Sequence, residues 1–369
     1  MKIGILTGGG DCPGLNAVIR AVAKSLILDA EAEVIGFEDG FLGMIEKRYR
    51  ELDYKAVSGI LNTGGTILGT HNRANPFSFY GADGADVSDQ VAQNYEELGL
   101  DGVVVIGGDG TMTIAHRLAE KGIRTVGVPK TIDNDLMHTD RTFGFDTAVS
   151  IATDAVDRLQ TTGQSHGRVM ILETMGRYAG WIALHAGIAG GADVILLPEI
   201  PFEIEEVARV CRERAQRQRF TIIVVGEGAK PAGGDQVVRE TIEDSPDPIR
   251  LGGVGFYVEQ ELRKRIDSEV RTTVLGHIQR GGSPTAFDRI LSTNFGIFAA
   301  ELVRKGQFGR MVALKDGDMS SIGLAEVADK TRFVPIDSLM VRAALAVGTS
   351  LGDPSLKEKL KESSANRTL

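Results

Sequence analysis

Short apolar segments that end in glycine and lead into amphipathic segments recur along this 369-residue chain. Residues 2–7 are apolar up to three successive glycines at 8–10, and apolar side chains then follow at helical spacing. The same order returns at 102–120, where the segment GVVVIGGDGT precedes another predicted helix. Strands that alternate with helices in this way predict an α/β fold whose mainly parallel sheets are flanked by helices.

The chain is rich in glycine, and its 46 glycines are clustered rather than scattered. The clusters are TGGG at 7–10, TGGT at 63–66, IGGDG at 106–110, IAGGA at 188–192 and RGGS at 280–283. Glycine is needed where the backbone takes a positive φ or must approach a ligand closely. Because ligands in open parallel sheets bind at the carboxyl ends of strands, the clusters predict a site built from these loops.

The apolar pattern places the individual elements. It predicts strands at 2–7, 33–37, 102–106, 124–128, 169–173, 194–197, 221–225, 272–275 and 311–315. It predicts helices at 15–28, 111–120, 146–160, 205–218, 255–267 and 287–305. Residues 229–253 are predicted to be a polar surface excursion, and the charged residues 353–369 a frayed tail.

Composition excludes several classes of protein. With 41 basic and 50 acidic residues the formal charge is −9, which argues against a general nucleic-acid partner. No apolar run approaches the ~18–20 residues that a membrane span needs, and the first residues do not resemble a signal peptide. Cys12 and Cys211 are too few for a disulfide framework or a cysteine-based zinc site. We therefore expect a cytoplasmic protein that binds neither membrane nor nucleic acid.

The segment from Gly8 to Asp11 lies between the first strand and the first helix. Backbone N–H groups at such a turn, together with the helix dipole, can hold a phosphate group. The alternative is a tight strand-to-helix turn of any α/β protein, and this segment alone favours that alternative. It matches neither a Walker loop nor a dinucleotide fingerprint.

Two further strand ends carry carboxylates. Asp109 lies in the glycine cluster at 106–110 and can ligate Mg²⁺ beside phosphate oxygens, although it could instead cap the helix. Asp133 and Asp135 follow another strand, with Thr131 and Lys130 before them. One carboxylate of such a pair can accept a proton while the other meets solvent, a metal ion or an N–H group. An ordinary Asx-rich loop is the alternative.

The second half of the chain holds cationic candidates. Arg177 in the segment MGRYAG could neutralise a transferring phosphoryl group, whereas Arg168 could form a structural ion pair instead. Arg271, His277 and Arg280 flank one strand and together make a credible phosphate clamp. A glutamate also lies at a strand end in the segment VVGE, as a weak signal by itself.

The segments VVVIGGDGT, PKTIDND, MGRYAG and RTTVLGHIQRGGSPTAFDR, in this order and spacing, resemble those of the phosphofructokinases over roughly residues 1–330. GGDGT alone also occurs in NAD kinases and lipid kinases, but the PKTIDND segment and the Arg271–Arg280 cluster speak against both. The resemblance implies phosphoryl transfer to the 1-hydroxyl of fructose 6-phosphate, in a cleft between two α/β domains.

The resemblance also implies boundaries and an assembly. A larger nucleotide-binding domain would contain residues 1–144 and 279–329, and a smaller sugar-phosphate-binding domain 145–278 and 330–369. Family members are usually homotetramers that share sugar-phosphate sites between subunits, so a homo-oligomer is expected.

The same resemblance implies roles for single residues. Asp133 would be the base for the sugar hydroxyl, and Asp109 would hold Mg²⁺. Gly10, Thr131 and Arg177 would stabilise the moving phosphoryl group. The remaining implied sugar-phosphate ligands are Asp135, Met175, Gly176, Glu227, His277 and Arg280, with Arg168 and Arg271 reaching the 6-phosphate from a neighbouring subunit. The implied nucleotide-binding residues are Gly10, Phe41, Arg73, Asp109, Gly110 and Thr111.

The phosphoryl donor depends on two markers. In this family, glycine at the position of Gly110 accompanies ATP, whereas lysine at the position of Lys130 accompanies pyrophosphate. Some ATP-dependent members of actinobacterial type combine the two markers, so we expect ATP, with a pyrophosphate-dependent phosphofructokinase as the alternative. A sugar-phosphate sensor without activity is a further alternative, which the presence of Asp109, Asp133 and Arg177 argues against.

Overall fold

The computed structural model describes residues 1–217, 220–241 and 249–366 of the chain. The strands are β1 (Lys2–Thr7), β2 (Glu33–Phe37), β3 (Tyr49–Glu51), β4 (Ala74–Asn75), β5 (Ser78–Phe79), β6 (Gly102–Gly107), β7 (Thr125–Pro129), β8 (Val169–Thr174), β9 (Val194–Leu196), β10 (Thr221–Gly226), β11 (Val238–Thr241), β12 (Ile249–Leu251), β13 (Val270–Val274), β14 (Arg310–Lys315) and β15 (Asp318–Gly323).

The helices are α1 (Leu15–Ala30), α2 (Phe41–Glu46), α3 (Ser88–Glu97), α4 (Asp109–Glu120), α5 (Phe145–His166), α6 (Trp181–Ala189), α7 (Ile204–Arg217), α8 (Val254–Arg263), α9 (Ala286–Arg304), α10 (Leu324–Val327), α11 (Leu339–Ala346) and α12 (Leu356–Asn366). In the part of the chain described, no helix combines the length and the apolar character needed to cross a membrane.

The described residues divide into two compact units. The first unit contains Met1–Thr147 and Arg280–Arg332, and the second contains Ala148–Gln279 and Phe333 onward within the described ranges. The binding of a nucleotide by one unit and of a sugar phosphate by the other stays a prediction.

The first unit is built on a seven-stranded sheet in the order β15-β14-β7-β6-β1-β2-β3. Its central strands pair in parallel, and the antiparallel β3 and β15 form the two edges. The apolar side chains of β1 and β6 are fully buried, because the sheet is covered on both faces. Helices α1 and α9 pack closely against each other.

The second unit contains a four-stranded parallel sheet in the order β13-β8-β10-β9. Its core consists of apolar side chains of β8, β9 and β10 packed against α7 and α8. Burial of continuous apolar strands in both units confirms the predicted α/β fold with mainly parallel sheets.

Some sequence-based boundaries were wrong. Helix α5 continues to His166 rather than ending at 160, and α12 gives helical order to a tail that was predicted to fray. The polar excursion predicted at 229–253 contains β11 and β12, which pair as an antiparallel hairpin, while residues 242–248 lie outside the described residues. Gln218, at the predicted end of the helix at 205–218, also lies outside them.

Candidate active site

Three of the predicted motifs meet at one edge of the first unit's sheet. Strands β1, β6 and β7 are parallel neighbours, so the loops that follow them leave the sheet at the same edge. The N–H of Gly8 donates to the carbonyl of Ile106 at 2.8 Å, and the N–H of Lys130 donates to the carbonyl of Gly107 at 2.9 Å. These hydrogen bonds join the start of each loop to the neighbouring strand.

Two cationic side chains converge on the loop after β1. The ammonium group of Lys130 donates a short hydrogen bond to the carbonyl of Gly10, and Arg280 Nη1 donates to the carbonyl of Asp11 at 3.3 Å. A Cβ atom on Gly10 would lie 3.0 Å from Arg280 Nη1, so the guanidinium group lies directly against the loop. The loop after β1 therefore lies in a positive environment, as a phosphate-binding loop requires.

Lys130 is the most buried cation of this group, with 4% of its surface exposed. Burial lowers the pKa of Lys130, since desolvation disfavours its charged form, and the neighbouring Cys12 and Arg280 have smaller effects. Burial also raises the pKa of Cys12 to about 12, so this cysteine stays a neutral thiol at physiological pH.

Asp133 is placed as a proton acceptor would be. It is 5% exposed, its backbone N–H donates to Thr131 Oγ1 at 3.0 Å, and its Oδ1 atom has no hydrogen-bond partner among the described residues. Asp135 is also buried, and its carbonyl accepts from the N–H of Arg332 at 2.7 Å. An ordinary surface loop would leave these carboxylates in solvent, so burial argues against that alternative.

Asp109 is the first residue of α4, and the N-cap position belongs to Gly108. The alternative in which Asp109 caps the helix was therefore wrong. A Cβ atom on Gly8 would lie 2.8 Å from Thr111 Oγ1, which brings the start of α4 against the loop after β1. A Cβ atom on Gly110 would have no neighbour within 4 Å in the described structure. The fold does not require glycine at this position, and the space beside it is open to a ligand.

Two of the predicted nucleotide-binding residues, Phe41 and Arg73, lie outside the loops that follow β1, β6 and β7. Phe41 is 4% exposed and packs in the core of the first unit, so its ring offers little surface to a base. The role of Phe41 as a nucleotide-binding residue stays a prediction. Arg73 lies in the segment between α2 and α3, with its guanidinium carbon 5.0 Å from the centroid of the Tyr80 ring.

In the second unit, Glu227 orders the turn after β8. Its Oε1 atom accepts from the N–H of Arg177 at 3.0 Å and from the N–H of Gly176 at 3.3 Å. Arg177 has a φ of 50°, and a Cβ atom on Gly176 would lie 2.6 Å from the carbonyl oxygen of Ala179. The turn is therefore tight and depends on the carboxylate that its N–H groups face. Met175 precedes the turn and is half-buried.

The two arginines predicted to reach a sugar phosphate share one carboxylate. Arg168 and Arg271 each donate a short hydrogen bond to a different oxygen of Glu269. The bond from Arg168 holds the pKa of Glu269 below its ordinary value. In this single chain Arg168 thus makes the ion pair that the alternative interpretation described, and Glu269 is a residue that sequence reasoning missed. His277 lies apart from this pair along the chain and is exposed.

The first unit thus brings together Gly10, Asp109, Gly110, Thr111, Thr131, Asp133, Asp135 and Arg280. The second unit brings together Gly176, Arg177 and Glu227, and it places Arg168 beside Arg271. A group of three or more His, Cys, Asp or Glu side chains able to hold a metal ion is not found within the described ranges.

A comparison with protein families decides the relationship. The family model described as Phosphofructokinase matches residues 2–303, which include every motif considered above. The chain belongs to the phosphofructokinase family.

Relatives agree with this membership. ATP-dependent 6-phosphofructokinase 2 of Clostridium perfringens is 52% identical over 360 residues, which cover 95% of this chain and 98% of that protein. The pyrophosphate–fructose 6-phosphate 1-phosphotransferase of Streptomyces coelicolor is 50% identical over 335 residues, which cover 90% of this chain and 96% of that protein.

A solved structure agrees as well. The crystal structure of Pichia pastoris phosphofructokinase in the T-state matches with a TM-score of 0.78 and 29% identity. The match covers 98% of this chain and 38% of the longer Pichia chain.

Proposed function

We propose that this chain transfers the γ-phosphoryl group of ATP to the 1-hydroxyl of fructose 6-phosphate, giving fructose 1,6-bisphosphate and ADP. The observation that carries the proposal is Oδ1 of Asp133, which is buried in the loop after β7 and has no hydrogen-bond partner among the described residues. A buried acceptor without a partner costs stability unless a ligand supplies the donor. The 1-hydroxyl of the sugar is such a donor.

In the proposed reaction Asp133 accepts the hydroxyl proton while the hydroxyl oxygen bonds to the γ-phosphorus. The bond from that phosphorus to the bridging oxygen of ADP breaks, and ADP leaves with the electron pair. Phosphoryl transfer needs little covalent help from a protein, so positioning and charge neutralisation supply most of the catalysis.

The charge of the transferring phosphoryl group is neutralised by groups in the loops that follow the strands. The N–H of Gly10 and the hydroxyl of Thr131 donate to the phosphoryl oxygens, and Arg177 neutralises their charge. Asp135 supports the site from the same loop as Asp133.

Magnesium fits the carboxylate that begins α4. Asp109 is half-buried at the edge of the sheet where the glycine loop lies, and Mg²⁺ favours one or two carboxylates together with phosphate oxygens. Asp109 would hold the ion. When bound, Mg²⁺ neutralises phosphate charge.

The roles of the two units follow from their residues. The first unit binds the nucleotide, corresponding to the predicted domain of 1–144 and 279–329, and the second binds the sugar phosphate, corresponding to 145–278 and 330–369. Met175, Gly176, Arg177, Glu227, His277 and Arg280 bind fructose 6-phosphate. Arg168 and Arg271 serve a neighbouring subunit of a homotetramer, and the enzyme acts in the cytoplasm without a membrane or nucleic-acid partner.

The choice of ATP is supported by the open space at Gly110, where a side chain would occupy the position beside a nucleotide. The second candidate donor is pyrophosphate, favoured by Lys130, whose ammonium group lies against the glycine loop. Similarity does not choose between them, because relatives with either donor in their names are about equally identical to this chain.

A coupled assay of fructose 1,6-bisphosphate formation, with Mg²⁺, fructose 6-phosphate and either ATP or pyrophosphate, tests this proposal. Turnover with ATP is the expected result. Turnover with pyrophosphate alone would show that Lys130 is the better guide, and turnover with neither would reject the assigned reaction.

A further inference from the structure

A second glutamate of the second unit holds the far end of the turn that carries Arg177. Glu199 follows β9, and its Oε1 atom accepts from the N–H of Gly180 at 3.0 Å, with its Oε2 atom 3.2 Å from the same nitrogen. Glu227, which follows the neighbouring strand β10, accepts from the N–H groups of Gly176 and Arg177. The turn from Gly176 to Gly180 therefore has a carboxylate at each end.

Glu199 lies directly against the backbone that it holds. A Cβ atom on Gly180 would lie 2.8 Å from Glu199 Oε2. Gly180 is the N-cap of α6, and the N–H groups at the start of a helix have no acceptor within it. Burial raises the pKa of Glu199, and the backbone N–H groups that it accepts from have the opposite, smaller effect. The carboxylate thus lies largely out of solvent, where its hydrogen bonds fix the start of α6.

Glu199 also holds the segment by which the chain enters the second unit for the last time. The first unit ends at Arg332, and the second resumes at Phe333. The N–H of Val334 donates to Glu199 Oε1 at 2.8 Å, and within the first unit the N–H of Arg332 donates to the carbonyl of Asp135 at 2.7 Å. One oxygen of Glu199 therefore fixes both the end of the turn and the first residues after the crossing.

We propose that Glu199 is a positioning residue that holds Arg177 where it acts on the transferring phosphoryl group. This inference rests on the proposed function, in which Arg177 neutralises the phosphoryl charge. Arg177 has a left-handed φ of 50°, so its turn needs restraint from its surroundings. Glu227 restrains the start of the turn, and Glu199 restrains its end. A displacement of about 1 Å in a group that acts on the transition state costs up to about 100-fold in rate.

The test measures the effect of Glu199→Ala with and without Arg177. Wild type, Glu199→Ala, Arg177→Ala and the double variant are assayed for fructose 1,6-bisphosphate formation with ATP, Mg²⁺ and saturating fructose 6-phosphate. We expect Glu199→Ala to lower kcat by about 10–100-fold when Arg177 is present and by less than about threefold when it is absent. A residue that acts through Arg177 has nothing to position once that side chain is removed.

Two further variants separate positioning from a loss of folded protein. Glu199→Gln keeps an oxygen that accepts from both N–H groups, so its kcat should stay within about threefold of wild type. Glu199→Asp keeps the charge but is one methylene group shorter, so it should lower kcat and enters the same cycle if Glu199→Ala does not fold. Glu203→Ala, at an exposed glutamate four residues later, is a matched control with expected wild-type kinetics.

Three outcomes would overturn the inference. An equal loss of kcat with and without Arg177 would show that Glu199 only supports the fold. Wild-type kcat in both Glu199→Ala and Glu199→Asp would show that the turn does not need this carboxylate. Both results leave the proposed function intact in an enzyme whose wild type turns over ATP. A wild-type enzyme that does not phosphorylate fructose 6-phosphate would reject the assigned reaction and the inference together.

Discussion

The backbone N–H of Asp133 donates to Thr131 Oγ1 at 3.0 Å, which orients a carboxylate whose Oδ1 atom meets no donor from the described residues. The hydrogen bond to Thr131 thus fixes the backbone of Asp133, while its Oδ1 atom stays available to accept a hydrogen bond from a ligand. Since a buried unpaired acceptor destabilises a protein by about 1–3 kcal/mol, the arrangement favours function over stability.

We expect Asp133→Asn to lower kcat by about 10²–10⁴-fold, because the amide cannot accept the hydroxyl proton. Binding of fructose 6-phosphate changes little, since the shape of the side chain is kept. The thermal midpoint stays the same or rises, because the variant removes a buried charge. Asp154→Asn, on the exposed surface of α5, is a matched control with expected wild-type kinetics. Unimpaired turnover in Asp133→Asn would remove this residue from the role of base.

The variant Gly110→Asp should lower the use of ATP without changing the stability of the fold. A Cβ atom there has no described neighbour within 4 Å, so thermal stability should be unchanged. A carboxylate beside the phosphates adds like-charge repulsion of several kcal/mol, and we expect kcat/KM for ATP to fall by about 100-fold or more. Gly110→Ala, which adds volume without charge, should lose less than about tenfold. Full ATP activity in Gly110→Asp would show that the open space does not serve the nucleotide.

The strands that flank the site could be predicted because each is an uninterrupted apolar run, as in β1 and β6, which are buried on both faces. Helix α6 was predicted only as a helix that follows the turn at Met175-Gly176-Arg177, without bounds, because it is buried on nearly all sides and no polar face marks its period. The edge strand β15 is polar and partly exposed, and its pairing with β14 leaves no pattern in the sequence.

The residues of the candidate site were likewise predictable from the sequence only in part. Carboxylates at strand ends could be located from sequence, because parallel topology alone brings the ends of adjacent strands to one edge. The burial of Phe41 and the hydrogen bonds of Glu199 depend on how segments far apart in the chain pack, which periodicity does not report. Glu269 was missed because a surface glutamate has many possible partners in a sequence, and only the fold shows that Arg168 and Arg271 are the two it pairs with.

Variants of Glu227 can distinguish a residue that positions the Gly176–Arg177 turn from one that binds the sugar phosphate directly. Its carboxylate holds the N–H groups of Gly176 and Arg177, and Arg177 has a left-handed φ that costs about 1–2 kcal/mol. Glu227→Ala leaves both N–H groups unpaired and releases the turn, so we expect kcat/KM to fall by about 10–100-fold. Glu227→Gln keeps an oxygen that accepts both bonds and should stay within about threefold of wild type.

The glutamine variant decides between the two roles of Glu227. If the charged carboxylate itself binds the sugar hydroxyls, Glu227→Gln should weaken fructose 6-phosphate binding nearly as much as Glu227→Ala. Steady-state KM values for fructose 6-phosphate, together with kcat, distinguish the two results.

Asp288 makes the stability of the first unit depend on pH. Its Oδ2 atom accepts from the N–H and the hydroxyl of Thr147 at 2.8 and 2.6 Å, yet burial raises the pKa of Asp288 from 3.8 to about 6. The folded protein therefore binds a proton at pH values where the unfolded chain has lost it. This contribution is fully present below about pH 4 and is lost as the pH rises through about 6.

We expect this carboxyl group to lower the free energy of unfolding by up to about 3 kcal/mol between pH 4 and pH 7. Asp288→Asn keeps an oxygen for the two donors of Thr147 and cannot ionise, so it lacks this pH dependence. Denaturant unfolding of both proteins across this range gives a difference curve in which the titration of other groups cancels. The variant should gain stability relative to wild type as the pH rises. A flat difference curve would show that the carboxyl group of Asp288 titrates alike in the folded and unfolded states.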